Sequence, residues 1–144
     1  MYVKQLSIFM ENKSGRIAEI TRILAGAGID IRALSIADTT DFGILRLIVN
    51  KPEEASEVCK KAGLMTALTD VIAIQIEDRP GSFSEAMQFL ACAGVSIDYM
   101  YAFITPGNEK AACVIISTSS PELASKLLTN AGIKLLDAEK IYSL

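Results

Sequence analysis

Residues 6–31, LSIFMENKSGRIAEITRILAGAGIDI, and residues 72–97, IAIQIEDRPGSFSEAMQFLACAGVSI, are two versions of one passage. At a displacement of 66, Ile8, Glu11, Gly15, Glu19, Leu24, Ala25, Ala27, Gly28 and Ile31 coincide with Ile74, Glu77, Gly81, Glu85, Leu90, Ala91, Ala93, Gly94 and Ile97. Leu6/Ile72, Asn12/Asp78, Lys13/Arg79 and Ile17/Phe83 keep the register with related residues. The match resumes at a displacement of 69, where Pro52, Ala55, Ala62 and Gly63 stand opposite Pro121, Ala124, Ala131 and Gly132. The second copy therefore carries about three extra residues between its middle strands. A fixed period interrupted only at a turn is the mark of a duplicated module.

In the first copy Leu6, Ile8 and Met10 alternate with polar neighbours, the period of a half-buried strand. After Asn12-Lys13-Ser14-Gly15 the apolar positions become Ile17, Ile20, Ile23, Leu24 and Ala27, one face of a helix. Gly28 stops it, Ile29 to Ala37 is the next strand, Asp38-Thr39-Thr40-Asp41 a turn, and Ile44 to Val49 a third strand. Pro52 opens a second helix with Ala55, Val58, Cys59 and Ala62 on its face, and Gly63 ends it. The second copy repeats this with strands at Ile72 to Ile76, Val95 to Ile104, Ala111 to Ile116 and Leu135 to Tyr142. Its helices carry Phe83, Ala86, Phe89, Leu90 and Ala93, and run from Pro121 to Gly132, with Ser82 and Glu85 spaced as a capping box. Met65 to Ile76 closes one copy and opens the next, leaving no flexible linker. The fold class is α+β: two ferredoxin-like βαββαβ modules, residues 1–69 and 70–144, each an antiparallel sheet with its helices on one face.

Modules of this size bury only about 60% of their unfolded surface, so the copies are expected to pack on each other or on a second chain, giving a homo-oligomer such as a dimer. Half of the 144 residues are hydrophobic (51%), and the net charge of −3 is spread without a basic run, which argues against nucleic acid and anionic membrane as partners. The longest apolar run, Ala111 to Ile116, falls well short of the roughly 20 residues that span a bilayer. Residues 1–10 have no secretory-signal architecture, and Cys59, Cys92 and Cys113 are predicted to be buried reduced thiols in a cytoplasmic protein. Histidine is absent, no Ser or Cys has a nucleophile setting, and paired carboxylates occur only on helix surfaces such as Glu53 and Glu54. The expectation is a non-enzyme that needs no cofactor and no metal. Two other uses of this fold also drop out. RNA-binding versions stack bases on central-strand aromatics, which Ile44 to Val49 and Ala111 to Ile116 lack, and metal carriers need cysteines in the first loop, where neither copy has one.

Asp78-Arg79-Pro80-Gly81-Ser82-Phe83, with Leu90 and the turn Ala93-Gly94-Val95-Ser96-Ile97, resembles the ACT domain: an acidic-x-Pro-Gly-x-Leu loop into helix one, then Gly-Ile/Val-x-Ile into strand two. Asn12-Lys13-Ser14-Gly15-Arg16-Ile17 and Ala27-Gly28-Ile29-Asp30-Ile31 form a looser version, with Asn12 for the acid, Ser14 for proline and Arg16 where a small residue is usual. The resemblance covers the chain as a tandem ACT protein. It implies a small-molecule sensor that binds an amino acid between modules and regulates an enzyme of amino-acid metabolism in trans; some proteins of this tandem type resemble regulatory parts of acetolactate synthase.

The loop chemistry fits. Glycine at a helix N-terminus lets backbone approach a ligand, and the free N–H groups with the positive dipole end suit a carboxylate. Asn12 or Asp30, and Asp78, Ser96 or Asp98, offer acceptors to an ammonium. In ACT proteins the ligand sits where the first loop of one domain meets strand two of a neighbour. The implied contacts are Asn12, Lys13, Ser14, Gly15, Arg16, Ile17, Ile29, Asp30 and Ile31 in one copy, and Asp78, Arg79, Pro80, Gly81, Ser82, Phe83, Val95, Ser96 and Ile97 in the other. Their differences make the two sites inequivalent. The competing function is a ligand-free assembly module pairing through sheet edges, because Tyr99, Tyr101 and Phe103 alternate with Met100, Ala102 and Ile104 on a strand that is apolar on both faces and calls for a cover.

Overall fold

The computed structural model describes residues 2–38, 41–105 and 110–144. Thr39 and Thr40 of the first predicted turn, and residues 106–109 of the inserted hairpin, lie outside the described residues. The chain runs β1 (Val3–Glu11), α1 (Arg16–Gly26), β2 (Ile31–Asp38), β3 (Phe42–Val49), α2 (Pro52–Lys61), β4 (Met65–Glu77), α3 (Ser82–Cys92), β5 (Ile97–Ile104), β6 (Ala111–Thr118), α4 (Pro121–Asn130), β7 (Lys134–Leu135) and α5 (Ala138–Tyr142). The β-α-β-β-α-β order occurs twice, and β4 serves both copies as one uninterrupted strand.

Two compact units result. The first comprises Lys4–Thr69 with Ile141–Ser143; the second comprises Asp70–Lys140 with residues 2–3 and Leu144, in each case for the described residues. In the first unit the strand order is β2-β3-β1-β4. Antiparallel registers place Leu6 opposite Leu47 and Ile8 opposite Leu45. Residues directly opposite share a sheet face, so Leu6, Ile8, Leu45 and Leu47 project together. Ile20 and Leu24 of α1 and Ala55 and Cys59 of α2 close over that face, and all are buried. Both helices thus cover the face that carries these aliphatics. The second unit repeats the plan with order β5-β6-β4-β7, Ile72 opposite Ile116 and Ile74 opposite Val114, under Ala86 and Leu90 of α3 and Ala124 and Leu128 of α4.

Three local expectations are corrected. Leu135 to Tyr142 is not one strand: β7 is two residues long, with Leu135 opposite Ile74, and Leu136 N–H donates to the Ala73 carbonyl (2.8 Å) before the chain turns into α5. Ala138-Glu139-Lys140 are good helix formers, and the helical turn buries Ile141 completely. The capping box does not form. Ser82 is the first residue of α3, its hydroxyl donates to the carbonyls of Glu77 (2.5 Å) and Arg79 (3.0 Å), and Glu85 is taken by the Arg79 side chain. Cys59 and Cys113 are buried, but Cys92 is exposed, because two residues beyond Leu90 lies on the far side of a 3.6-residue helix.

Candidate ligand site

Each first loop begins where a strand leaves its sheet. Asn12 N–H donates to the Asp41 carbonyl (3.3 Å) and, at the matching place, Asp78 N–H donates to Lys110 (2.8 Å). Lys13 N–H then turns back to Glu11, and Arg79 N–H to Glu77, each at 2.9 Å. Gly15 and Gly81 follow with φ of 83° and 92°. A Cβ there would meet nothing within 4 Å, so the left-handed backbone and not crowding demands glycine. The side beside each glycine is open.

Neither α1 nor α3 has a side-chain cap. The first-turn N–H groups of Ile17 and Ala18, and of Phe83 and Ser84, have no carbonyl one turn behind them in the helix, and they stand at the positive dipole end. Glu11, Asn12, Lys13, Asp41 and Phe42 line a recess of about 420 Å³ beside the first loop. Gln75, Glu77, Asp78, Arg79, Lys110 and Ala111 line one of about 600 Å³ beside the second.

The charges around these loops are largely self-paired. Lys13 Nζ lies 2.6 Å from Glu11, which holds the Glu11 carboxyl below the usual range through a hydrogen bond and its charge. Arg16 meets Glu19 at 3.0 Å, and Asn12 Nδ2 donates to Asp38 at 3.0 Å. In the second loop Arg79 spans Glu85 (3.4 and 3.1 Å) and Glu77 (3.1 Å), and these hydrogen bonds raise its pKa further above neutrality. Such exposed pairs contribute little stability; they set where cations and anions stand around the loop.

The strand-two candidates lie elsewhere in each unit. Ile29 and Val95 are core residues, with Ile31 and Ile97 packed against the same cores. Asp30 is held by Arg32 (2.9 Å) and its N–H by Asn50 (2.9 Å), while the Ser96 carbonyl accepts from Thr118 (2.7 Å). These groups follow the C-terminal ends of α1 and α3. Eleven-residue helices put them about 16 Å along the axis from the first loops. The structure brings Asn12 to Ile17 together, and Asp78 to Phe83 together, but joins neither to strand two of its own unit.

Residues not singled out by the sequence border a further cavity of about 290 Å³ between α3 and the turn after α4, among them Glu77, Glu85, Phe89, Ile133 and Lys134. A third of that lining comes from some 50 residues downstream, so no local motif marks it; the one available signal is that Ser82 and Ala86 replace the larger Arg16 and Ile20. Among the described residues no three His, Cys, Asp or Glu side chains gather as a metal cluster, and no helix is long and apolar enough to cross a membrane.

A protein from Bacteroides thetaiotaomicron, BT0572, superposes with a TM-score of 0.93 at 40% identity, over 100% of this chain and 98% of its own. The regulatory subunit of aspartate kinase from Thermus thermophilus superposes at 0.66 with 20% identity, over 89% of this chain and 91% of that one. Its counterpart from Thermus flavus gives 0.62 at 19%, over 90% and 92%. Among curated proteins none matches. The family model for an ACT domain pair matches residues 1–144, and with both modules, both glycine loops and that model in agreement, the chain belongs to the ACT family as a tandem pair of ACT domains.

Proposed function

We propose that this ACT pair is a regulatory, non-catalytic protein of the cytoplasm that binds an amino acid at its first loops and passes occupancy to an enzyme of amino-acid metabolism in trans. The observation that carries the reading is the doubled helix entrance: Gly15 and Gly81, each with open space beside it, precede helix N-termini that have no side-chain cap. A carboxylate is the group such an entrance receives. The Thermus neighbours are described as regulatory subunits of aspartate kinase, which favours a kinase of that kind as the target over acetolactate synthase. Regulation then follows from linkage: the ligand shifts the population toward the arrangement it binds better, by no more than its differential affinity.

A homo-oligomer completes the site. Antiparallel pairing of β2 with β2 of a second copy would carry that copy's Ile29 to Ile31 to the first-loop end, which the 16 Å separation denies within one unit. Edge strands β2 and β5 support such pairing, with Leu34 at 53% and Ile104 at 70% exposure. The same apolar edges favour the competing reading, assembly without a ligand.

A thermal-shift panel of the twenty amino acids separates them. An amino acid present at 100 times its Kd stabilises by about 2.7 kcal/mol, several degrees in Tm for a chain of this size. At least one is expected to produce that rise. If none does at millimolar concentration, sensing fails and assembly remains.

A further inference from the structure

The cavity of about 290 Å³ beside α3 is lined by apolar Ile76, Ala86, Phe89 and Ile133 together with charged Glu77, Arg79, Glu85 and Lys134. At the displacement of 66, Ser82 and Ala86 correspond to Arg16 and Ile20. In the first copy Ile20 is fully buried, and Arg16 Nε is buried without a hydrogen-bond partner among the described residues while Nη1 reaches Glu19 at 3.0 Å. The first copy thus places larger, buried side-chain atoms where the second has Ser82 and Ala86. Glu19 corresponds to Glu85, so the first copy also shows that carboxylate position holding a cation.

We propose that this cavity of the second unit is the site for a zwitterionic α-amino acid with an apolar side chain, and that Arg16 and Ile20 seal its counterpart in the first. The proposal rests on the sensor reading and assigns it a place and a ligand class. Arg79 has five N–H donors, of which three are engaged by Glu77 and Glu85; two remain for a carboxylate. Lys134 is in the same lining and has no ion pair among the described residues. Glu77 and Glu85 retain acceptor capacity for an ammonium. Two positive and two negative side chains sum to zero, which suits a zwitterion better than a phosphate or a polyamine. Ile76, Phe89 and Ile133 of the lining take the side chain, since burying apolar surface is the favourable term that a charged side chain would forfeit.

The test is calorimetric titration of the full chain with leucine, valine and methionine, and with glutamate, lysine and inorganic phosphate, together with NMR of its isoleucine δ1-methyl groups. At least one apolar amino acid is expected to bind once per chain and to move the Ile76 and Ile133 methyl signals. Ser82→Arg, which transplants the seal, and Glu85→Gln, which keeps the shape, are each expected to weaken binding at least tenfold. An amino acid that binds while leaving both methyl signals still and tolerating both variants overturns the cavity but not the sensor. Tighter binding of phosphate, lysine or glutamate in the cavity overturns the ligand class. No binding by any amino acid overturns both readings, and the methyl signals decide even if a variant fails to fold.

Discussion

Cys113 stands opposite Phe103 on one side and Gln75 on the other, with no exposed surface. Burial disfavours the thiolate and pushes this thiol up to about 12; Cys59 is raised for the same reason. Because the thiolate is the reactive form, a disulfide-exchange reagent at pH 8 is expected to count one thiol in the folded chain, Cys92, and three in urea. Cys92→Ser should leave none in the folded state. The same burial makes stability pH-dependent. An unfolded thiol ionises near 9.0, so the native preference for the neutral form contributes fully below that pH and is lost as pH rises toward about 12. Its slope approaches about 1.4 kcal/mol per pH unit. Urea unfolding across that window is expected to decline less steeply in Cys113→Ala than in the parent; parallel declines would show that Cys113 does not titrate this way.

Between elements, the duplication yields an internal control. Ser56 of α2 hydrogen-bonds Thr66 of β4 at 3.1 Å, and at the displacement of 69 the same positions hold Ser125 of α4 and Leu135 of β7. Leucine offers no partner, and the buried Ser125 hydroxyl has none among the described residues. A made hydrogen bond is worth about 1 kcal/mol net, whereas a buried orphan costs about 1–3 kcal/mol. Ser56→Ala is therefore expected to lower unfolding stability by about 1 kcal/mol, and Ser125→Ala to leave it unchanged or raise it, by urea denaturation. Equal losses would contradict the pairing. Elements of this kind were legible because period and punctuation agree: Pro52 and Pro121 start their helices and Gly63 and Gly132 stop them. The C-terminal segment was not, since Leu135, Leu136 and Ile141 satisfy a strand by composition, whereas the chain leaves the sheet after two residues for a helical turn that buries Ile141. Both glycine loops could be read from the repeat. The 290 Å³ cavity could not, because it depends on side-chain volumes at 82 and 86 meeting a turn that lies far along the chain.

At the scale of the molecule, a repeat in sequence is not a repeat in folding units. Ile141–Ser143 belong with the first unit and residues 2–3 with the second. Ile141 is fully buried. The Tyr142 hydroxyl accepts from Lys4 N–H at 2.7 Å, and its carbonyl accepts two bonds from the Arg32 guanidinium at 3.2 and 3.0 Å. Units of about 70 residues are marginal on their own, so these few contacts weigh heavily. Ending the chain at Asp137 removes one buried isoleucine, worth about 1.5–3 kcal/mol, and charge-assisted bonds worth about 1.5–3 kcal/mol. The truncated chain is expected to lose roughly 3–5 kcal/mol of stability, allowing for partial relaxation. That loss should register in the first unit, although the deleted residues come from the second copy. Native-state hydrogen exchange tests this directly: Leu6, Leu45 and Leu47 amides should exchange faster after truncation, with Tyr142→Phe showing a smaller change of the same sign. Acceleration confined to β6, with β1 and β3 unaffected, would mean that the C-terminal turn stabilises the copy from which it descends.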